Sequence, residues 1–365
     1  LTTGLFFCFV SDLRVSLGIH HMSNVAENSE NLLTDWHQQA ITLQKNINQT
    51  ILGQEHIIDL MVVAIFCRGH ILLEGDVGVG KTTLLRATAE SLGGNFERIE
   101  GTIDLMPHDL VYYTHIANDG KPAVSEGPLL KHGENLSIFF FNEINRARPQ
   151  VHSLLLRVMA ERSVSAFNKT FFFPHLQVFA DRNRIEKDET FELPAAARDR
   201  FMMELHIKQP TAEAQLKELM FNTRYYDADK LIDSADKAVL PFHQLNDIAV
   251  AIQSQIHSSD TIQDYGFHLC QALRRPQDYG IQISDIDTEK LVLGGMGPRG
   301  ISYLARSARA HAWLNQRNSV IPEDFHAVIR AISKHRIFIN PVYNYNGEAI
   351  IEELISGVLN TIPSP

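Results

Sequence analysis

The chain has 365 residues, 44% of them hydrophobic and 21% charged, with a formal net charge of −10. That length suits about two domains with a sizeable core, and the ordinary polarity excludes a disordered chain. The acidic balance argues against a general nucleic-acid binder, which carries a basic excess or stripe, although a local basic groove stays open.

The three cysteines, Cys8, Cys67 and Cys270, are scattered and form no C-x-x-C. This suits a reducing compartment and predicts a cytoplasmic protein. The 17 histidines show no metal-binding spacing, so they read as ordinary surface and core residues. Near the start, the apolar run Leu5 to Val10 is too short to span a bilayer and lacks a basic flank. The native start is expected at Met22, with residues 1–21 an extension. No other segment approaches transmembrane length, so no membrane insertion is expected.

Leu32, Leu33, Trp36, Ala40 and Leu43 keep a helical period and predict a helix over about 31–48. A second helical pattern, 57–67, leads into a strand at 70–74. The run Gly75-Asp76-Val77-Gly78-Val79-Gly80-Lys81-Thr82, followed by Thr83, fits the phosphate-loop pattern G-x-x-x-x-G-K-[ST]. Glycines let backbone N–H groups close around a polyphosphate. The helix that follows, 82–92, presents its positive end to the same phosphates. Lys81 is placed to reach the terminal phosphates and the Thr82 hydroxyl to bind Mg²⁺. A chance glycine-rich turn is the plain alternative; the flanking strand and helix favour phosphate binding.

A strand over 96–100 precedes an irregular region, 101–133. Ser137-Ile138-Phe139-Phe140-Phe141 is a continuous apolar run, as in a parallel strand buried on both faces. A helix over 150–161, a hairpin over 163–173 turning at Asn168-Lys169, and strands at 176–180 and 201–207 complete the pattern. Alternating strands and helices predict an α/β fold, a parallel sheet covered by helices on both faces. Ligands then bind at the strands' carboxyl ends. Gln209-Pro210 marks a boundary, and the rest is nearly all helix, a small all-α lid. One stripe is Ile301, Leu304, Ala305, Ala308 and Ala312; another is Phe325, Val328, Ile329 and Ile332, opened by Pro322. The predicted organisation is an N-terminal helix at 22–50, an α/β core at 51–209, a linker at 210–238 and a helical domain at 239–365.

Hydrolysis needs a metal site, a group that orients water and positive charge for the transition state. Phe141-Asn142-Glu143-Ile144-Asn145-Arg146-Ala147 ends the buried strand with acid and amide groups. Glu143 is the candidate base and Asn142 the candidate metal-side residue. A helix N-cap with a charged first turn is the alternative; the nearby phosphate loop favours the functional reading.

With Ile51-Leu52-Gly53-Gln54, Asp104-Leu105-Met106-Pro107, Glu192-Leu193-Pro194, Asp199-Arg200-Phe201 and Gly297-Pro298-Arg299, these stretches resemble the MoxR family of AAA+ ATPases over essentially everything after Met22. The resemblance implies ATP and Mg²⁺ as cofactors and a hexameric ring that remodels, matures or inserts a cofactor into a protein client. Partners in the family often carry a von Willebrand factor A domain. By motif position, Gly53 and Gln54 lie beside the adenine, residues 75–82 are Walker A, and Asn142-Glu143 occupies Walker B. Asn183 is the sensor that places the attacking water, Arg200 the finger acting on a neighbouring subunit's ATP, and Arg299 the lid sensor. Either arginine alone would read as a surface salt bridge. Regions 101–133 and 163–173, with Phe167 and Lys169, are the implied client-facing loops.

Several positions depart from the family pattern. Asn142 stands for Asp, Asp181 for Thr, and Arg182 and Arg184 for Gln and Pro. A neutral amide forms weaker hydrogen bonds to metal-bound water than a carboxylate. The added charges around Asn183 either perturb water placement or compensate for Asn142; the expectation is ATP binding with weakened Mg²⁺ affinity and slow hydrolysis. Three readings stay open: an ATP-driven remodeller, a hydrolysis-poor ATP-dependent scaffold, and a nucleic-acid motor, which the acidic balance opposes. No N-K-x-D motif supports a GTPase.

Overall fold

The computed structural model describes residues 33–183, 190–237, 239–283 and 286–365. The expected start at Met22, the 1–21 extension and Arg184 lie outside them. In chain order the core runs α1 (33–50), α2 (Glu55–Phe66), β1 (Ile71–Gly75), α3 (Lys81–Leu92), β2 (Asn95–Glu100) and a hairpin of β3 (Tyr112–Ile116) and β4 (Pro122–Glu126). It continues with β5 (Leu136–Asn142), α4 (Pro149–Glu161), a hairpin of β6 (Ser163–Ala166) and β7 (Lys169–Phe172), β8 (Gln177–Arg182), α5 (Ala195–Arg198) and β9 (Met203–Ile207).

Five strands form one parallel sheet in the order β2-β5-β8-β1-β9. The apolar run of β5 is explained by its burial at every residue. Ile138 and Phe140 belong to the buried cluster that holds Leu84 and Leu85 of α3 and the buried face of α2, whereas Phe139 and Phe141 belong to the one that holds Val151, Leu155 and Val158 of α4. Both faces are therefore covered, and each buried Phe stabilises by roughly 1.5–3 kcal/mol. The α/β expectation holds, with strand ends within two residues of those read from sequence.

The region 101–133 is more regular than expected, because it holds the β3–β4 hairpin. Its side chains are mostly exposed, so no core-driven alternation marks it. The β6–β7 hairpin turns one residue earlier than expected, at Phe167-Asn168, both left-handed at φ 52° and 58°. Phe167 packs on Tyr112 with ring centroids 5.3 Å apart, which ties the two hairpins together.

Beyond β9 lie α6 (Glu213–Phe221), α7 (Ala228–Asp233), α8 (Leu245–Gln255), α9 (Asp260–Arg274), α10 (Pro298–Leu314), α11 (Pro322–Ser333) and α12 (Gly347–Thr361). A short antiparallel pair, β10 (Val292–Gly294) and β11 (Phe338–Ile339), interrupts the helices. The 210–238 segment thus contains two helices, and Arg86 of α3 pairs with Asp229 of α7 at 2.7 Å. Leu304, Ala308 and Ala312 are buried as expected, but Ile301 and Ala305 face solvent, so the α10 stripe is narrower than its sequence suggests. The α11 stripe is buried throughout.

Two contacts fix the lid. Trp313 of α10 meets Phe66 of α2 at 4.8 Å, and its indole N–H donates to the Leu33 carbonyl at 3.2 Å. Arg336, almost fully buried, donates to Asp199 Oδ1 (2.9 Å) and to the carbonyls of Asp199, Phe201 and Met202. Among the described residues no helix is long and apolar enough to cross a membrane.

Candidate nucleotide site

The glycine loop joins β1 to α3 at the carboxyl edge of the sheet. Gly78 and Gly80 adopt φ of +80° and +86°, and a side chain at either would project into open space. That is the shape of a cradle: left-handed backbone that only glycine adopts easily, with room above it. Gly80 precedes α3 without a side-chain cap, so the first-turn N–H groups are left for an anion. Asp76 and Val77 are exposed on the loop, and Thr82 is half-buried in the first helical turn.

Lys81 lies beneath the loop. Its ammonium donates to the Gly75 carbonyl (2.7 Å), the Asp76 carbonyl (3.0 Å) and Asn183 Oδ1 (2.6 Å). Asn183 in turn donates from Nδ2 to Glu143 Oε1 at 2.9 Å. Lys81, the Asn183 amide and the candidate base Glu143 therefore form one hydrogen-bonded chain. The other Glu143 oxygen accepts from Arg146 at 2.9 Å. Glu143 itself is left-handed, φ 50°. Such a backbone costs on the order of 1 kcal/mol or more and clusters at active sites.

Asn142 and Asp181 close the constellation. Asn142 donates its amide to Glu100 on β2. Asp181 Oδ1 accepts the Glu143 backbone N–H at 2.6 Å, and Oδ2 stands 4.0 Å from the Lys81 ammonium. Burial pushes the Asp181 carboxyl up to about 6, against the Glu143 N–H and the Lys81 charge. Arg182 adds no free charge beside Asn183: its guanidinium donates to Glu74 Oε2 (2.8 Å) and Glu204 Oε1 (3.1 Å).

A cavity of about 420 Å³ adjoins the loop. Ile51, Leu52 and Gln54 line it on one side, Gly78, Val79, Gly80 and Thr83 on another, and Leu216, Leu219 and Leu231 from α6 and α7 on a third. Its apolar walls suit a purine ring. Gln54 is fixed by donating to the Lys208 carbonyl at 2.6 Å, and Gly53, left-handed, backs onto Pro210.

The two motif arginines lie apart from this cluster. Arg200 donates to the Ala196 carbonyl at 2.8 Å. Arg299 pairs with Asp199 Oδ2 at 2.5 Å. Among the described residues neither is hydrogen-bonded or ion-paired to the loop, Lys81 or Glu143. Sequence reading missed the α6–α7 wall; Asp181, a departure already visible two residues before Asn183, is brought beside the Glu143 N–H and Lys81 by the fold.

A glycine cradle over a buried lysine, an oriented carboxylate and a base-sized cavity under a helical lid define a P-loop nucleoside-triphosphatase. The chain matches "ATPase family associated with various cellular activities (AAA)" over residues 70–203 and "AAA lid domain" over 284–354. It is 50% identical to Protein MoxR of Methylorubrum extorquens, over 94% of this chain and 100% of that protein. It is 51% identical to Protein MoxR of Paracoccus denitrificans, over 91% and 98%. A solved protein from Cytophaga hutchinsonii, described as a candidate ATPase, superposes with a TM-score of 0.79 at 26% identity, over 93% of this chain and 98% of the other. The chain belongs to the MoxR family of AAA+ ATPases.

Proposed function

We propose that this protein binds ATP with Mg²⁺ at residues 75–83 and couples its hydrolysis, within a hexameric ring, to remodelling, maturation or cofactor insertion of a client protein. The carrying observation is the chain Lys81–Asn183–Glu143, at 2.6 and 2.9 Å. It supports a reading in which the Glu143 carboxylate takes a proton from water while Lys81 neutralises phosphate charge. Water attacks the γ-phosphorus, the bond to the β–γ bridging oxygen breaks, and ADP leaves. The Thr82 hydroxyl and the Asn142 side-chain oxygen would hold Mg²⁺, which supplies charge neutralisation at the β- and γ-phosphates. Arg200 acts on the ATP of the adjoining subunit, and Arg299 reports nucleotide state to the lid. A relative 31% identical, from Mycobacterium tuberculosis, bears the name Chaperone MoxR1, which supports a chaperone-like role.

The client surface in this reading is the paired hairpins, where Phe167, Phe172, Ile116 and Val124 are exposed apolar groups. A protein with a von Willebrand factor A domain is the expected client class, and the cytoplasm the expected compartment. Glu143→Gln should bind ATP, lose about 10²–10⁴-fold in kcat and retain client in a pull-down. Undiminished hydrolysis by this variant would reject the reading. Asn142, a neutral amide in the Walker B position, favours a second reading: a scaffold assembled by ATP that hydrolyses slowly. ATP-dependent assembly with near-background turnover, unaffected by Arg200→Ala, would select it.

A further inference from the structure

The carboxyl edge of the sheet carries a row of polar side chains across three strands. Glu100 of β2 is the register partner of Asn142 of β5. Phe141 is the partner of Ala180 of β8, so Asn142 and Asp181 are the next residues along two adjacent parallel strands. In the alternation of β5 and β8, both follow residues of the face packed against α3, namely Phe140 and Phe179. That is the face beneath which Lys81 lies.

Asn142 directs its amide to Glu100. Asp181, 2% exposed, stands on the inner side. Its Oδ1 accepts the Glu143 N–H at 2.6 Å, while Oδ2 faces Lys81 at 4.0 Å, beyond hydrogen-bond reach. The Lys81 ammonium instead donates to three other oxygens. A carboxylate so buried needs charge and hydrogen bonds to compensate for lost solvation. Here one oxygen is used by the backbone, and the other is directed toward the phosphate-loop lysine.

We propose that Asp181 supplies, from β8, the metal-side carboxylate that Asn142 lacks on β5, and that it holds the divalent cation's hydration shell in the ATP site. The proposal rests on the ATP-site reading above. Besides offering its side-chain oxygen to the cation, Asn142 then also keeps a neutral group between Glu100 and Asp181, where two adjacent carboxylates would repel. A purely structural Asp181, present only to accept the Glu143 N–H, is the competing account. Asparagine at 181 keeps that acceptor and removes the charge, so it separates the two.

The test uses the full chain, a fluorescent non-hydrolysable ATP analogue and Mn²⁺ as the probe ion, followed by electron paramagnetic resonance. Asp181→Asn should bind the analogue in EDTA as the unaltered protein does, while Mn²⁺ affinity of the nucleotide complex falls by about tenfold or more. The double variant Asp181→Asn with Asn142→Asp should recover most of that loss. Unchanged Mn²⁺ affinity in Asp181→Asn would overturn the proposal. If Asp181→Asn does not fold, the double variant carries the test: tight Mn²⁺ binding supports the transfer of function, and weak binding overturns it. Failure of the unaltered chain to bind the analogue at all would instead reject the ATP-site reading.

Discussion

Asn183 joins the Lys81 ammonium to the Glu143 carboxylate, the proposed phosphate-binding and water-activating groups. With its oxygen on Lys81 and its nitrogen on Glu143, one planar amide fixes both. Asn183→Ala should lower kcat about 10²-fold with nucleotide affinity held, because the Gly75 and Asp76 carbonyls still position Lys81. Steady-state ATPase beside a nucleotide titration checks this; an unchanged kcat would count against the relay. Cys67 and Cys270 illustrate the opposite, inert case. Burial pushes their thiols up to about 11 and about 12. Thiolate is the reactive form, so both should resist a disulfide reagent in the native protein and react once urea unfolds it. Fast native labelling at either position would contradict the packing.

At the scale of elements, α10 and α11 are joined by a polar clasp in an apolar interface. Asp324, fully buried, accepts from both terminal nitrogens of Arg317, from His311 Nδ1 at 2.6 Å and from the Ile321 N–H at 2.8 Å. Burial pushes its carboxyl up, but the hydrogen bonds from Arg317, His311 and Ile321 outweigh that, and the net direction is down. A lowered carboxyl contributes stability above the unfolded value, about 3.9, and loses it as pH falls through the folded value. Acid melting of the lid below about pH 4 should therefore shift to higher pH in Arg317→Ala, which should also cost about 2 kcal/mol at neutral pH. Circular dichroism across a pH series measures both. The β6–β7 turn gives a second element-scale test. Phe167 holds φ of 52°, a region asparagine adopts more easily than a bulky side chain. Phe167→Asn should leave the melting temperature unchanged or raised while weakening client capture. A marked drop in melting temperature would make Phe167 a structural residue.

For the molecule as a whole, the core and lid meet at Asp199. It accepts from Arg336 at 2.9 Å and Arg299 at 2.5 Å and adjoins Arg200. One carboxylate thus ties Arg336 and Arg299 together, next in the chain to Arg200, the proposed finger. Asp199→Ala should destabilise by about 2–3 kcal/mol, since charge-assisted hydrogen bonds are lost from a buried guanidinium. It should also raise the protein concentration needed for ATP-dependent assembly. Urea denaturation and sedimentation check the two outcomes, and unaltered assembly would confine Asp199 to stability.

The sequence by itself determined the features whose causes are local. The eight-residue glycine loop, 75–82, carries its pattern in consecutive residues, the 137–141 run reports burial on both faces, and the 3.6 period of α11 reports its core side. The remaining features depend on contacts between residues far apart in the chain. The β3–β4 hairpin buries little and leaves no alternation to read. In the α6–α7 wall Leu216 and Leu219 are exposed and only Leu231 is buried, so these apolar residues gain meaning only beside the loop. In sequence, the added charges of Asp181 and Arg182 leave two readings open, perturbed water placement or compensation for Asn142. In the fold, Arg182 is neutralised by Glu74 and Glu204, and Asp181 stands next to Asn142 because parallel pairing aligns strand ends 39 residues apart. Hydrogen bonds and charge compensation act through space, so the chemistry of that edge was settled by strand order and register.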